Sequence, residues 1–241
     1  MRALVISDIH GNFEALRAVT EAERFDRVLC LGDIVDYGPQ PVETVRWVRE
    51  HVDAFVRGNH DMAVGAGVAC RSAPAFRRLS EESRKLTVPM LSEEERGFLA
   101  GLPLRRALLF DGVRLEMLHA APEDPLYQYL PATDREGWTR AVEHLEADIV
   151  LVGHTHLQAV LKLGPKLMVN PGSVGLPRDG DPRACYALLE DGHPVLKRIP
   201  YDVSRTVERL REWGLPHDVT QALETIYRGG EAAPVVEGTQ A

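Results

Sequence analysis

Short apolar runs alternate with longer amphipathic stretches from the start of the chain. Residues 2–7 are a run of small and branched apolar side chains, and residues 12–24 place Phe13, Leu16 and Val19 at helical spacing. Residues 27–31 are apolar again, 42–51 are helical in pattern, and 52–56 make a third strand. This β-α-β-α-β order predicts a parallel sheet with helices on its faces. In such sheets ligands gather beyond the carboxyl ends of the strands.

The pattern turns polar and helix-like over residues 62–102, punctuated by Pro74, Pro89 and Pro103. Two or three helices inserted as a cap beside the site are expected there. Residues 104–110 and 112–119 read as a hairpin through Asp111-Gly112, a pair that tolerates the positive φ of a tight turn. A helix over 134–146 leads to a strand at 148–152. Hairpins follow at 157–163 with 166–170 through Gly164-Pro165, and at 184–190 with 194–200 through Asp191-Gly192. Helices over 203–213 and 217–227 come last. No internal repeat or low-complexity linker breaks the pattern. The expectation is a single α/β domain over residues 1–228, with the insertion at 62–102 and a flexible tail from 229 to 241.

Polar knots follow the apolar runs: Asp8-Ile9-His10, Gly32-Asp33, Gly58-Asn59-His60-Asp61, His119 and Gly153-His154-Thr155-His156. They hold five of the nine histidines. Asp8 and His10, like His154 and His156, are two apart, where strand alternation would send both side chains the same way. Asp33 follows Asp8 by one helix and one strand, so the two strand ends can lie side by side. Taken singly, an Asp, Asn or His here reads as a cap or surface turn. Together they read as a metal site, and imidazole among the donors favours Mn²⁺, Fe, Ni²⁺ or Zn²⁺ over Mg²⁺ or Ca²⁺. His119 has a second reading, a buried histidine capping its strand. Asn12 either caps the first helix or reaches a substrate oxygen. Arg57 either holds an anion or pairs with a helix, and Asp36 reads as a structural hydrogen-bonding group.

Composition narrows the function. The chain has 241 residues with 44% hydrophobic side chains and a formal net charge of −8. No stretch approaches the roughly 18 unbroken apolar residues of a membrane span. The charge argues against bulk nucleic-acid binding, yet allows a nucleotide or other small phosphate ester, because bound cations reverse the local sign. Glu81-Glu82 and Glu93-Glu94-Glu95 read as solvated helix faces. Met1 runs straight into the first strand, leaving no space for a signal peptide. Cys30, Cys70 and Cys185 lack paired spacing, so a cytoplasmic location is expected. Nothing in the chain indicates an oligomeric state.

The ordered set of knots resembles the calcineurin-like metallophosphoesterase superfamily over residues 8–156, and Asn170-Pro171-Gly172-Ser173 extends the likeness. The resemblance implies a four-layer α-β-β-α sandwich and a dinuclear centre between its sheets. Asp8, His10 and His156 would hold the first ion, Asp33 would bridge, and Asn59, His119 and His154 would hold the second. His60 would sit over the substrate as proton donor, oriented by Asp61. Asn170, Ser173 and Arg178 would lie near the metals or the phosphate. Two metal ions about 3.5–4 Å apart bind phosphate oxygens and turn a bridging water into a hydroxide nucleophile near neutral pH. An amide ligand such as Asn59 keeps the site positive enough to attract phosphate.

The opening motifs are similar to the diadenosine tetraphosphatase and serine/threonine phosphatase branch, whose members carry Arg after the second Asp of the Gly-Asp motif. Tyr37 stands there instead, which removes a bidentate phosphate clamp. The compact length is similar to small prokaryotic phosphodiesterases, so diester hydrolysis is preferred to monoester hydrolysis. The alternatives are a protein phosphatase or dinucleoside polyphosphate hydrolase, or an inactive scaffold of the same fold.

Overall fold

Period-two alternation in the first strand sets the layering. In β1 (Arg2–Ile6) Ala3 and Val5 point to one face, Leu4 and Ile6 to the other, and all four are buried. A strand buried on both faces belongs inside a sandwich. The structure, a computed structural model, describes residues 1–230. After β1 come α1 (Phe13–Ala22), β2 (Arg27–Cys30), α2 (Pro41–His51), β3 (Ala54–Phe55) and three helices, α3 (Asn59–Ala66), α4 (Pro74–Met90) and α5 (Glu93–Gly101). The second half holds β4 (Arg105–Phe110), β5 (Val113–Leu118), α6 (Arg135–Val142), β6 (Ile149–Leu151), β7 (Gln158–Leu163) and β8 (Lys166–Pro171). It ends with β9 (Ala184–Glu190), β10 (His193–Ile199), α7 (Val203–Glu212) and α8 (His217–Tyr227).

Two five-stranded mixed sheets result, ordered β10-β9-β1-β2-β3 and β4-β5-β6-β8-β7. The parallel strands β1, β2 and β3 form one half of the first sheet. Parallel β5, β6 and β8 form the centre of the second. Val5, Leu29 and Leu31 meet Met117, Leu151 and Val169 between the sheets. Leu4 and Val28 pack outward with Leu16, Val19, Val45 and Val48 of α1 and α2. On the far side, Val150 and Met168 pack with Trp138 and Val142 of α6. This is the expected four-layer α-β-β-α arrangement. It brings the carboxyl ends of two sets of parallel strands to one edge.

The helix expected over 134–146 ends at Val142, and three further boundaries in or beside the insertion differ from expectation. β3 is two residues long rather than five, as a short strand on a sheet edge resists further pairing. Pro89 lies inside α4 near its end instead of separating helices. The helical insertion starts at Asn59 rather than at 62, so its first helix carries site residues. Of the tail expected at 229–241, residues 231–241 lie outside the described residues.

Candidate metal centre

Each knot stands just past a strand: Asp8 and His10 after β1, Asp33 after β2, Asn59 and His60 after β3, His119 after β5, and His154 and His156 after β6. Strand alternation is not what aligns the paired residues, because both strands have already ended. Asp8, His10, Asp33, Asp36, Tyr37, His154 and His156 instead adopt positive φ between 48° and 68°. That conformation costs a non-glycine residue about 1–2 kcal/mol, and strain concentrated in this way marks a functional region. Two glycines permit the close approach. A Cβ on Gly58 would lie 2.0 Å from Asp33 Oδ1, and one on Gly153 would lie 2.0 Å from Ser7 Oγ.

The donors converge as two groups, Asp8 with His10 and His156, and Asp33 with His119 and His154, each within 4.8 Å of one another. His10 Nδ1 donates to Val35 O at 2.9 Å, His156 Nδ1 to Leu176 O at 2.6 Å, and His119 Nδ1 to Leu31 O at 2.8 Å. Those partners assign the tautomer and leave each Nε2 pointing inward. His10 Nε2 and His156 Nε2 face each other at 3.2 Å, and Asp8 Oδ1 lies 3.2 Å from the latter. Asn59 donates its amide to Cys70 O at 2.8 Å, which turns its Oδ1 toward His119 Nε2 at 3.1 Å. Asp33 Oδ2 lies 3.1 Å from His119 Nε2 and 3.8 Å from His10 Nε2, so it reaches both groups.

This donor set fits two cations. Lone pairs face lone pairs across short gaps, and Asp8 Oδ1 is a buried acceptor with no hydrogen-bond partner. An unmatched buried acceptor is costly, and a cation satisfies several at once. Burial holds His10 and His156 well below the usual imidazole range, and burial together with the neighbouring His119 lowers His154 to about 3. These three imidazoles are neutral, the form that ligates. Burial alone would also lower His119, but Asp33 outweighs it and pushes His119 up to about 9. A positive charge, proton or metal, is therefore favoured at its Nε2. Burial raises Asp8 to about 6. It opposes ionisation of Asp33 too, yet His119 and His60 prevail and hold that carboxyl well below its ordinary value.

His60 borders the centre without joining either group. Its backbone N–H donates to Asp33 Oδ1 at 2.9 Å and its Nδ1 to Asp36 Oδ2 at 2.8 Å. Burial lowers its pKa, but Asp33 and Asp36 overcome that and raise it. The expectation that Asp61 orients this ring is corrected. Asp61 Oδ2 accepts from the N–H groups of Asp33 at 2.8 Å and Gly58 at 3.0 Å, and its Oδ1 from Ile34 N–H at 2.8 Å. It ties two loops together, while Asp36 holds the imidazole. Asp36 in turn accepts from Arg84 of α4, with Nε at 3.0 Å.

Asn12 takes its capping reading and Arg57 meets a helix end, so neither is a substrate contact. Asn12 is fully buried, caps α1 through Ala15 N–H and donates to Gly175 O and Tyr201 Oη. Arg57 reaches Ala100 O at the end of α5 and does not face the recess. Asn170 and Ser173 brace the loops: Asn170 Nδ2 donates to Gly153 O at 2.7 Å and Ser173 Oγ to Asp8 O at 2.7 Å. Arg178 does line a recess of about 180 Å³ over the two groups, together with His60, Tyr37, Arg71, Phe76, Tyr127 and Tyr129. The last four come from the insertion and the loop after β5, where no spacing signal marked them.

The calcineurin-like phosphoesterase superfamily domain matches residues 1–191. The chain belongs to that superfamily, a class of metallophosphoesterases that act on ester bonds. It is 32% identical over 235 residues to the uncharacterized protein MJ0912 of Methanocaldococcus jannaschii, covering 88% of this chain and 93% of that one. The crystal structure of a metallophosphoesterase from Sphaerobacter thermophilus superposes with a TM-score of 0.78 at 32% identity, over 92% of this chain and 98% of that one. Phosphodiesterase YfcE of Escherichia coli K12 is 26% identical over 204 residues, 79% of this chain and 88% of that one. No helix among the described residues is long and apolar enough to cross a membrane.

Proposed function

We propose that the protein hydrolyses phosphodiesters with two divalent transition-metal ions, Mn²⁺, Fe, Ni²⁺ or Zn²⁺. The observation that carries this is the meeting of two donor groups around the shared carboxylate of Asp33, with acceptor facing acceptor. Asp8, His10 and His156 would hold one ion, Asn59, His119 and His154 the other, and Asp33 both. Bound there, the ions supply Lewis acidity and lower the pKa of a water from about 15.7 to about 7. The name of the relative YfcE supports diester over monoester chemistry.

The chain's own part is positioning and proton transfer. His60, whose pKa Asp33 and Asp36 raise, would give its Nε2 proton to the departing alkoxide oxygen as the P–O bond breaks. The Nδ1–H bond to Asp36 fixes the ring so that Nε2 faces the recess. Arg178 would hold a non-bridging phosphate oxygen, as a guanidinium suits that geometry.

Turnover of an aryl phosphodiester with added Mn²⁺ tests the reading. His60→Ala should lower kcat about 10²- to 10⁴-fold, and equal rates would remove His60 from its role. Elemental analysis should find two metal ions per chain, and Asp33→Ala should lose both. Retention of both would end the bridging assignment. An aryl phosphomonoester turned over faster than the diester would reverse the preference.

A further inference from the structure

Beyond the metal groups, the recess has a mouth of unusual make-up. Arg71 lies over the Tyr127 ring with its guanidinium carbon 4.5 Å from the ring centre, and Arg178 over the Phe76 ring at 3.8 Å. Neither guanidinium makes an ion pair among the described residues, and Arg178 Nε is buried with no hydrogen-bond partner. Tyr129 is 60% exposed, a large ring left open beside a polar centre. Its centroid is 6.2 Å from that of His154.

Backbone strain singles out one of these residues independently. Besides the five left-handed residues of the knots, and Asp36 and Tyr37 just after Asp33, the described non-glycine residues with positive φ are Asp111, Asp191 and Arg71. The two aspartates serve hairpin turns that call for this conformation. Arg71, at φ 54°, serves no hairpin. Its strained backbone carries a side chain to the mouth of the recess and onto Tyr127.

Size decides what can reach that mouth. A recess of about 180 Å³ is smaller than the roughly 300–1,000 Å³ that encloses a whole drug-sized ligand. It takes a phosphoryl group and the atoms next to it. Arg71, Tyr127 and Tyr129 line the same recess, so the group esterified to the phosphate can lie against them. Aromatic rings and a stacked guanidinium bind planar π-systems and accept any base, since each base presents a π-face.

We propose that Arg71, Tyr127 and Tyr129 form a shelf that stacks the base of a nucleoside phosphodiester while its phosphate enters the recess beside Arg178. This rests on the phosphodiesterase reading above and names its substrate class. The shelf comes from two segments, the link between α3 and α4 and the loop after β5.

The test compares AMP, the product a nucleoside diester would leave, with ribose 5-phosphate, which lacks only the base. Both are run as competitors of an aryl phosphodiester in the Mn²⁺-loaded protein. Stacking of one base predicts AMP binding roughly 5- to 100-fold more tightly. Tyr129→Ala and Arg71→Gly, which keeps the left-handed backbone, should each shrink that gap severalfold and leave ribose 5-phosphate within about twofold of the parent. Equal affinities in the parent, or variants that weaken both ligands alike, would overturn the shelf. Absence of diester turnover counts against the activity, not the shelf. The two ligands are then titrated by calorimetry into the metal-loaded protein, and the same ratio decides.

Discussion

Asp36 and Asp61 are both buried carboxylates near His60, and their partners separate their roles. Asp36 bonds the imidazole, while Asp61 accepts three backbone N–H groups. Asp36→Asn should therefore lower kcat about 10- to 100-fold at nearly constant KM, as loss of an orienting carboxylate does. Asp36 raises the His60 pKa, so its removal lowers it, and protonated His60 persists only to a lower pH. The alkaline fall of the rate should shift toward acid, which a pH–rate profile measures; an unmoved profile would deny Asp36 this function. Asp61→Asn should instead cost about 1–3 kcal/mol of stability, read from a denaturant midpoint. The family resemblance pointed to Asp61, the neighbour of His60 in sequence. Both lie on α3, where consecutive residues diverge by about 100° around the axis. Asp36 reaches the ring only through left-handed turns at Asp36 and Tyr37, which no residue pattern announced. The convergence of the polar knots was legible, because each stood at the end of a readable apolar run.

At the scale of elements, α5 supports the site through α3. The two helices meet at Gly65, where a Cβ would lie 2.6 Å from Ala100 N, and α3 carries Asn59 and His60. The start of α5 is fixed by a reciprocal box: Ser92 Oγ accepts from Glu95 N–H at 3.2 Å, and Glu95 accepts from Ser92 N–H at 2.9 Å. The expected solvated face holds for Glu93 and Glu94, whereas Glu95 is buried and also paired with Arg46 at 2.8 Å. Burial pushes the Glu95 pKa up, but Ser92 N–H and Arg46 outweigh it and leave it lowered. A lowered folded-state pKa contributes stability that is present above the ordinary value of 4.5 and fades as pH falls through the folded value. Glu95→Gln should thus destabilise the protein at pH 7, by about 1 kcal/mol as for a lost cap. Near pH 3 its melting temperature should approach the parent's. A deficit that persists in acid would point to lost packing instead. The hairpins were legible from their turns: Asp111-Gly112 and Asp191-Gly192 take positive φ at both positions, and Gly164 does so before Pro165. What the pattern could not give was the packing of α4 and α5, since polar helices with proline punctuation leave their buried faces ambiguous.

For the whole molecule, each proposed metal site draws on both sheets. Asp8 and His10 follow a strand of the first sheet and His156 one of the second; Asp33 and Asn59 belong to the first, His119 and His154 to the second. A cation in either group would therefore tie the two halves of the sandwich at the edge where their parallel strands end. Elsewhere the halves are joined by the apolar layer between the sheets and by Gln158, whose amide donates to Tyr186 O at 3.2 Å and Lys197 O at 2.9 Å. Those contacts persist without metal, so chelation should loosen the catalytic edge without unfolding the chain. A ligand that binds only the folded state adds about 4 kcal/mol at a thousandfold excess over its Kd. Treatment with a chelator should lower the melting temperature by several degrees, and Mn²⁺ should restore it. Amide exchange should quicken around residues 7–11, 32–37 and 153–156 while the strands keep their protection. Asp33→Ala, lacking the shared carboxylate, should melt at the same temperature with and without Mn²⁺. A parent protein indifferent to chelator would mean that the sheets need no cation between them, and the cross-sheet reading of the site would fall with that result.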